Sequence, residues 1–463
     1  MNNDDSCDIT LSPAATLLLP LFNVSIADPF EKTLFTITNV TAVPQIAHVT
    51  VWTDWSYPIL SFNLFLTGYD VQGIDLSDVL VRGIIAPPAG TSATDRGITP
   101  NPSSGVPGAI PDTYVSNPNI APEAVAFGGA CSTQMTQIPP DLLDAVQRAL
   151  TMGTYPGSCG STRVGGTHTN AMGYLTVDVV NTCTTRYPDD PQYLVKELLF
   201  DNALIGDYQD VHSNPSAGNL AQGNPMVHIR AIPEGGSAGS HYGSNLPYTF
   251  YDRFTVSLPG QKQRTFDRRQ PLPSVFAARW IEGGTGGLNT SYKIWREGVV
   301  AGTQTCSKAS LNSAMPVVTP QIIRFDEREN SWSSSVGVIC TCPPLVPRLP
   351  AASRVLTTIS SVFPVNGSVV DISGWMYLNL NNGGAEGYSA NGRTGLLPTP
   401  FAPAGSWTSI RANQNWVIVS MSAMGIYSVD FDAAMLGNGC SPAAVIGSRI
   451  APSANENPSG QVD

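Results

Sequence analysis

Residues 47–52, Ala47-His48-Val49-Thr50-Val51-Trp52, and residues 60–67, Leu60-Ser61-Phe62-Asn63-Leu64-Phe65-Leu66-Thr67, decide the fold class. In the first stretch Ala47, Val49, Val51 and, further on, Trp55 alternate with His48, Thr50, Trp52 and Asp54. In the second, Leu60, Phe62, Leu64 and Leu66 alternate with Ser61, Asn63, Phe65 and Thr67. A period of two over such lengths predicts β-strands with one buried face. Ser56-Tyr57-Pro58 supplies the bend between them, and Ala27-Asp28-Pro29 separates two earlier strands. The first of these, residues 14–24, is apolar on both sides and needs cover on both faces. That cover comes either from the last strands of the chain, around residues 416–431, or from a neighbouring molecule.

Working outward, short apolar runs bounded by Gly, Pro or Asn recur at residues 175–180, 226–232, 249–258, 275–280, 292–295 and 322–325. They return at 355–359, 369–380 and 416–431. The Ser373-Gly374 step suggests a bulge. One helix is well marked: Pro139 and Pro140 open it, Leu142, Leu143, Val146, Ala149 and Leu150 share a side, and Gly153 closes it. A second helical stretch opens at Asp189-Asp190-Pro191 and runs through Leu194, Leu198 and Leu199. Residues 87–122 carry eight prolines and four glycines in 36 positions with almost no charge, a long excursion of the kind that carries function or moves.

The expected architecture is mainly β: an antiparallel β-sandwich core of immunoglobulin-like type, with long loops and one or two short helices. Its parts are N-terminal sandwich strands over 1–86, the Pro/Gly-rich excursion over 87–137, and a β-rich middle region over 138–341. A Pro-rich connector follows over 342–352, then C-terminal strands over 353–445 that are candidates to complete the N-terminal sandwich, and a loose tail over 446–463.

The 463 residues include 43 glycines and 38 prolines, an excess that favours turns over long helices, and only 13% are charged against roughly 25% in an average domain. The net charge of −11 with scattered basic residues argues against a nucleic-acid partner. The nearest basic cluster, Lys262, Arg264, Arg268 and Arg269, has Asp252 and Asp267 beside it and is read as a solvated, partly paired loop. No apolar run approaches the ~20 residues that a membrane-spanning helix requires. Residues 1–8 do not have the pattern of a secretory signal, so an exported chain would have lost one.

Eight cysteines, Cys7, Cys131, Cys159, Cys183, Cys306, Cys340, Cys342 and Cys440, lie in Gly-, Ser- and Thr-rich surroundings. The one close pair, Cys340-Thr341-Cys342, is too close for paired zinc ligands, and the even number suits disulfides in an oxidising compartment. The pairing is left open.

Segments of the chain resemble known modules. Leu17-Leu18-Leu19-Pro20-Leu21-Phe22, residues 33–40 and the stretch from Gly374-Trp375 to Leu380 resemble the two halves of immunoglobulin-like sandwich modules of bacterial surface proteins. The order of Val51-Trp52-Thr53-Asp54-Trp55, Leu66-Thr67-Gly68-Tyr69-Asp70-Val71-Gln72 and Arg268-Arg269-Gln270-Pro271-Leu272-Pro273 is similar, over most of the chain, to a set of uncharacterised secreted bacterial proteins. The resemblance implies export and a β-rich build. It brings no activity and no catalytic residues.

Chemistry-bearing patterns are sparse. Gly235-Gly236-Ser237-Ala238-Gly239, with His241 nearby, matches the form of a hydrolase nucleophile elbow, but a non-helical run follows it, so it reads as a loop. Cys131, just ahead of the marked helix, reads as a disulfide partner rather than an activated thiolate. His48, His168, His212, His228 and His241 lack zinc-site spacing. Asp201, Asp207 and Asp210, with Asn202 between them around a Gly206 turn, are the candidate ligands of a structural calcium, and Asp430 and Asp432 are a second acidic pair. Trp52, Trp55 and Tyr57 could stack on a sugar, but their alternation favours core packing. Asn23, Asn39, Asn289 and Asn366 sit in N-x-S/T sequons.

The reading that follows is a non-enzymatic, exported structural or adhesive protein, extracellular or on the cell surface. It would bind copies of itself as a surface-layer or fibre subunit, with surface glycans as a further partner and no cofactor beyond structural calcium. The alternative is a secreted hydrolase or carbohydrate-binding protein.

Overall fold

The computed structural model describes residues 9–27, 31–54, 56–85, 138–155, 164–188, 190, 192–214, 218–232, 249–251, 267–273, 275–283, 287–296, 321–329, 331–333, 354–357, 372–379, 414–423 and 427–436. The excursion at 87–137, the connector at 342–352 and the tail at 446–463 lie outside them. The chain is mainly β, with antiparallel sheets of the sandwich class and, among the described residues, no closed barrel.

Its strands are β1 (Thr16–Val24), β2 (Glu31–Asn39), β3 (Gln45–Thr53), β4 (Pro58–Leu66), β5 (Val71–Asp75), β6 (Ala171–Val180), β7 (Leu204–Asn214), β8 (Gly218–Pro225) and β9 (Val227–Ile229). There follow β10 (Val275–Ile281), β11 (Leu288–Arg296), β12 (Gln321–Asp326), β13 (Ser331–Ser333), β14 (Arg354–Thr357), β15 (Ser373–Asn379), β16 (Asn415–Ala423), β17 (Tyr427–Asp432) and β18 (Ala434–Met435). They form four sheets in two facing pairs. The first pair is β4-β3-β6-β1-β9 against β5-β2-β7-β8; the second is β13-β12-β15-β10-β18 against β14-β11-β16-β17. One hydrophobic core runs through both pairs.

The apolar first strand has the cover that its sequence demands. β1 pairs with β6 and β9 and is buried along nearly its whole length. The last strands are not its partners: β15 and β18 pair with β10, and β16 pairs with β11. The C-terminal strands therefore build a second pair of sheets rather than completing the first. The two pairs meet where β17 lies beside β8 and where Trp295 of β11 packs edge-on to Tyr174 of β6, with ring centroids 5.7 Å apart.

Two short helical elements join the strands. α1 (Leu76–Leu80) is capped by Asp75, whose carboxylate accepts from the Ser77 N–H. α2 (Pro140–Met152) follows the sequence expectation, with proline at its start, Ala145, Val146, Ala149 and Leu150 buried, and Gly153 at φ 66° as its cap. The second expected helix is instead a five-residue π turn, Tyr193–Glu197, and Leu198 leaves it in extended conformation. Its side chains explain the brevity: Tyr193 and Leu194 are drawn wholly into the core, and the Leu198 N–H closes the turn on the Tyr193 carbonyl.

The expected bulge at Ser373-Gly374 is absent. β15 runs in unbroken register against both β10 and β12 from residue 374 to 379. Gly374 serves a close approach instead: a Cβ there would lie 1.9 Å from the Phe325 carbonyl oxygen and 2.9 Å from the Trp280 ring. The Trp280 Nε1–H crosses this gap to donate to the Phe325 and Trp375 carbonyls at 3.0 and 3.2 Å.

Gly374→Ala should therefore push β12 off β15 and cost about 1–3 kcal/mol of stability, the usual range for overpacking a dense interior. Urea denaturation followed by tryptophan fluorescence measures it, and an unchanged midpoint would contradict the close approach.

Candidate functional site

Sequence alternation gives β3 an apolar side, Ala47, Val49 and Val51, and a mixed side, His48, Thr50 and Trp52. The alternation calls for one buried face; all nine residues of β3 are buried, the mixed side included. The reason lies across the strands. In register, Asn63 of β4 stands opposite His48, His48 opposite Asp178 of β6, and Asp178 opposite Thr16 of β1. One row lower, Ser61, Thr50 and Thr176 align in the same way. Polar side chains thus meet polar side chains across the sheet, and a second layer covers them.

Asp178 is the centre of this layer. It is completely buried and accepts hydrogen bonds from the hydroxyls of Thr16 at 2.5 Å and of Tyr193 and Tyr251 at 2.7 Å each. The Arg269 guanidinium, equally buried, lies 3.7 Å from its Oδ1, donates to the Thr16 hydroxyl and donates to the Leu199 carbonyl at 3.0 Å. Asp267 holds the arginine from behind, 3.5 Å from its Nη1, and accepts from the backbone N–H groups of Tyr251 and Arg269. Arg268 lies flat over the Phe200 ring, 3.9 Å from its centroid.

This corrects the reading of Arg268 and Arg269 as part of a solvated basic loop. They are among the largest fully buried side chains, because residues 268–270 run alongside residues 230–232, just past the end of β9, rather than over the surface. Ile232 donates to the Arg268 carbonyl and Gln270 to that of Arg230. The adjacent Lys262 and Arg264 lie outside the described residues. Burial raises both buried phenols well above their ordinary range, and the Asp178 charge adds to it, so Tyr193 and Tyr251 stay protonated donors.

His48 shares the layer. Its Nδ1 lies 2.8 Å from Asn63 Oδ1, and its ring is 5.4 Å from that of Tyr193. Burial pushes its imidazole below the ordinary histidine value of 6.5, while Asn63, Asp178 and the Arg186 backbone pull the other way.

A second arrangement lies at the β3–β4 hairpin. Ser56 takes φ 61°, a left-handed position usual in tight hairpins, and its buried hydroxyl has no hydrogen-bond partner among the described residues. Beside it Asp54, 3% exposed at the side chain, accepts from the Gly166 N–H at 2.8 Å and lies 2.9 Å from His168 Nε2. The carboxylate thereby fixes the imidazole ring, which is 19% exposed.

A third is a pair of loops. Asn39, completely buried, donates from Nδ2 to the carbonyls of Val43 and Thr67 at 2.8 and 2.9 Å and accepts from the N–H and hydroxyl of Thr41. Asp70 accepts from the N–H and hydroxyl of Thr67 and from the Val71 N–H. Loops 40–44 and 67–70 are locked together, and they expose Tyr69 at 71%, Val43 at 60% and Val71 at 50%. Asn39 spends its whole carboxamide here, so its sequon would lose the loop if glycosylated.

The expected calcium ligands do not come together. Gly206 is not a turn but an interior position of β7, where a Cβ would meet Met226 Sδ at 2.7 Å and Leu17 Cδ1 at 2.8 Å. Asp207 and Asp210, three apart on that strand, point to opposite faces. Asp207 is exposed, while Asp210 is buried, accepts from the Thr33 hydroxyl at 2.7 Å and lies 3.4 Å from Lys293 Nζ. Asp201 precedes the strand. No group of three or more His, Cys, Asp or Glu side chains among the described residues is placed to share a metal.

Trp52 is a core residue, stacked on Tyr174 with centroids 5.7 Å apart and donating to the Thr176 hydroxyl. Tyr57 is 6% exposed beside Tyr155. Trp55, Ser237, His241 and Asn366 lie outside the described residues, as do Cys7, Cys131, Cys159, Cys306, Cys340, Cys342 and Cys440. Cys183 is within them and is not a free thiol. No signal in the sequence marked Asp178, because its partners come from residues 16, 193, 251 and 269 and no local pattern joins them. No family model, curated protein or solved structure matches the chain.

Two outcomes test the buried layer. Arg269→Leu leaves the Asp178 charge without its cation and should cost about 3–5 kcal/mol, whereas Arg269→Leu combined with Asp178→Asn should cost clearly less than the two single changes summed. Additive costs in chemical denaturation would rule out the coupling. Separately, His48 has its pKa depressed in the folded chain, so the unfolded chain binds the proton first. Stability is then full above pH 6.5 and falls as pH drops below it, at up to about 1.4 kcal/mol per pH unit. The Tm should decline less steeply between about pH 7 and pH 5 in His48→Gln than in the native chain.

Proposed function

We propose that the chain is an exported structural or adhesive protein that associates with copies of itself, as a subunit of a surface layer or fibre. The observation that carries this reading is Tyr69. Its backbone is held at φ 58°, a left-handed position that costs a bulky residue on the order of 1–3 kcal/mol, while its ring stands in water. A ring so placed adds little to the core of its own chain, and two locked loops present it with Val43 and Val71 as a rigid apolar tip. Rigid aromatic anchors suit contacts because little side-chain entropy is lost when they dock. The 13% charge content leaves weak electrostatic protection against association.

The titratable groups of the interior fit the same reading, since Asp178, Asp267, Arg269 and both tyrosines are engaged with one another in holding layers together. Association by strand addition at the edge strand β5 is disfavoured: the Val71 N–H is taken by Asp70, and the Gly73 carbonyl accepts from the Gln72 amide. The proposed contact is through the tip. Oxidised cysteines and a surface location belong to this proposal. Among the described residues no helix is long and apolar enough to cross a membrane. The alternative, a secreted hydrolase or carbohydrate-binding protein, draws on the Asp54–His168 pair.

Light scattering over a wide concentration range, with and without calcium, tests the proposal. The native chain should associate, and the double change Val43→Ser and Tyr69→Ser should weaken association at least tenfold without lowering the Tm. A native chain that stays monomeric throughout sinks the self-assembly reading.

A further inference from the structure

Besides the tip, the first pair of sheets holds a cavity of about 320 Å³ along the outer edge of β4. We propose that it is a binding site for a small uncharged amphiphile: an aliphatic or aromatic body of about eight to ten heavy atoms with a single hydroxyl or carbonyl head.

The cavity exists because of how β4 ends its sheet. Beside that edge the Asn63 carboxamide, on the sheet face that it shares with His48, donates to the Thr184 carbonyl at 2.9 Å and accepts from the Thr184 N–H at 3.2 Å. These two bonds tie the segment around Thr184 to β4 through a side chain. The start of α2 closes the far wall, tied to the end of α1 by the Ile138 N–H, which donates to the Gly83 carbonyl at 2.7 Å. A slot is left between strand edge, helix and loop.

Its chemistry selects the ligand. Ile59, Phe62, Ile85, Ile138 and Leu142 supply an apolar interior, and Ser61, Thr185 and Tyr187 supply neutral polar groups. Among the described residues no lining residue is charged. A carboxylate or ammonium entering the slot would lose its hydration without a counter-charge, which costs far more than the loss borne by a hydroxyl. A neutral apolar cavity of roughly 150 Å³ accommodates benzene, so about twice that space fits a body of eight to ten heavy atoms. Both ends of the Asn63 carboxamide already hydrogen-bond, Oδ1 with His48 and Thr184 and Nδ2 with Thr184, so it is a poorer partner for the ligand than a hydroxyl. The head group is thereby directed to the hydroxyls at the rim.

Isothermal titration calorimetry of the full chain with n-octanol and with ionised n-octanoate, equal in length and different in charge, tests the assignment. Saturable one-to-one binding of octanol, at least tenfold tighter than octanoate, supports it. That binding should disappear in Leu142→Trp, which fills the slot, provided the thermal unfolding midpoint shows the variant folded. If Leu142→Trp does not fold, Ile85→Trp fills the slot from another wall and is read in the same way. The assignment is overturned by a lack of saturable octanol binding, as when another part of the chain or a second copy already fills the slot. Equal binding of octanoate, or octanol binding that survives both tryptophan variants, overturns it as well.

Discussion

A carboxylate buried at the centre of a sheet, Asp178, constrains everything packed over it. Removing such a group from water is costly unless charge and hydrogen bonds replace the lost solvent. Here Thr16, Tyr193, Tyr251 and Arg269 provide the replacement, and each comes from a different part of the chain. β1, the π turn, residues 249–251 and residues 267–273 must therefore all be in place together. The requirement is geometric as well as energetic, because hydroxyls at 2.7 Å tolerate little displacement.

That constraint explains why the two pairs of sheets share one core. Residues 267–273 satisfy Asp178 at one end and lead into the second pair at the other, where Leu272 donates to Gln414 and Asn415 donates to the Pro273 carbonyl. Gln414 in turn donates to the Phe250 carbonyl at 3.2 Å, next to the tyrosine that reaches Asp178. Phe250 stacks on Trp295 of β11, with centroids 5.9 Å apart. Charge satisfaction in the first pair thus fixes the entry of β10 and β16 into the second.

Local order in the structure was legible in the sequence and long-range order was not. The period-two runs marked β3 and β4, the prolines and Gly153 marked α2, and the double-sided apolarity of β1 marked a strand with two covered faces. Each of these signals depends on neighbours a few residues away. The alternation marked one buried face and left the row of His48, Thr50 and Trp52 unplaced, because nothing local tells a water-facing polar row from one matched across strands; the difference lies in Asn63, Asp178 and Thr16, up to 162 residues apart. Arg268 and Arg269 misled for the same reason. Asp207 and Asp210 misled in another way: Gly206 signals a turn as readily as a close approach, and only Met226 and Leu17 decide between them. Tyr69 and the slot beside β4 left no sequence signal, since exposure and concavity are properties of the assembled sheets.

The low charge content acquires a structural meaning from the way strands end. At several places where a strand meets a neighbouring segment, a buried carboxamide makes the junction. Asn39 joins two hairpin loops, Asn63 holds residues 183–187, Asn202 both donates to and accepts from the Ala231 backbone, and Gln414 binds Leu272 and Phe250. A carboxamide offers a donor and an acceptor side by side, the same pair that a backbone peptide unit presents, and it does so without a charge to desolvate. A chain that closes its sheet edges with neutral amides needs few ionised side chains. Where it does bury charge, around Asp178, it must meet that charge with another inside the same layer.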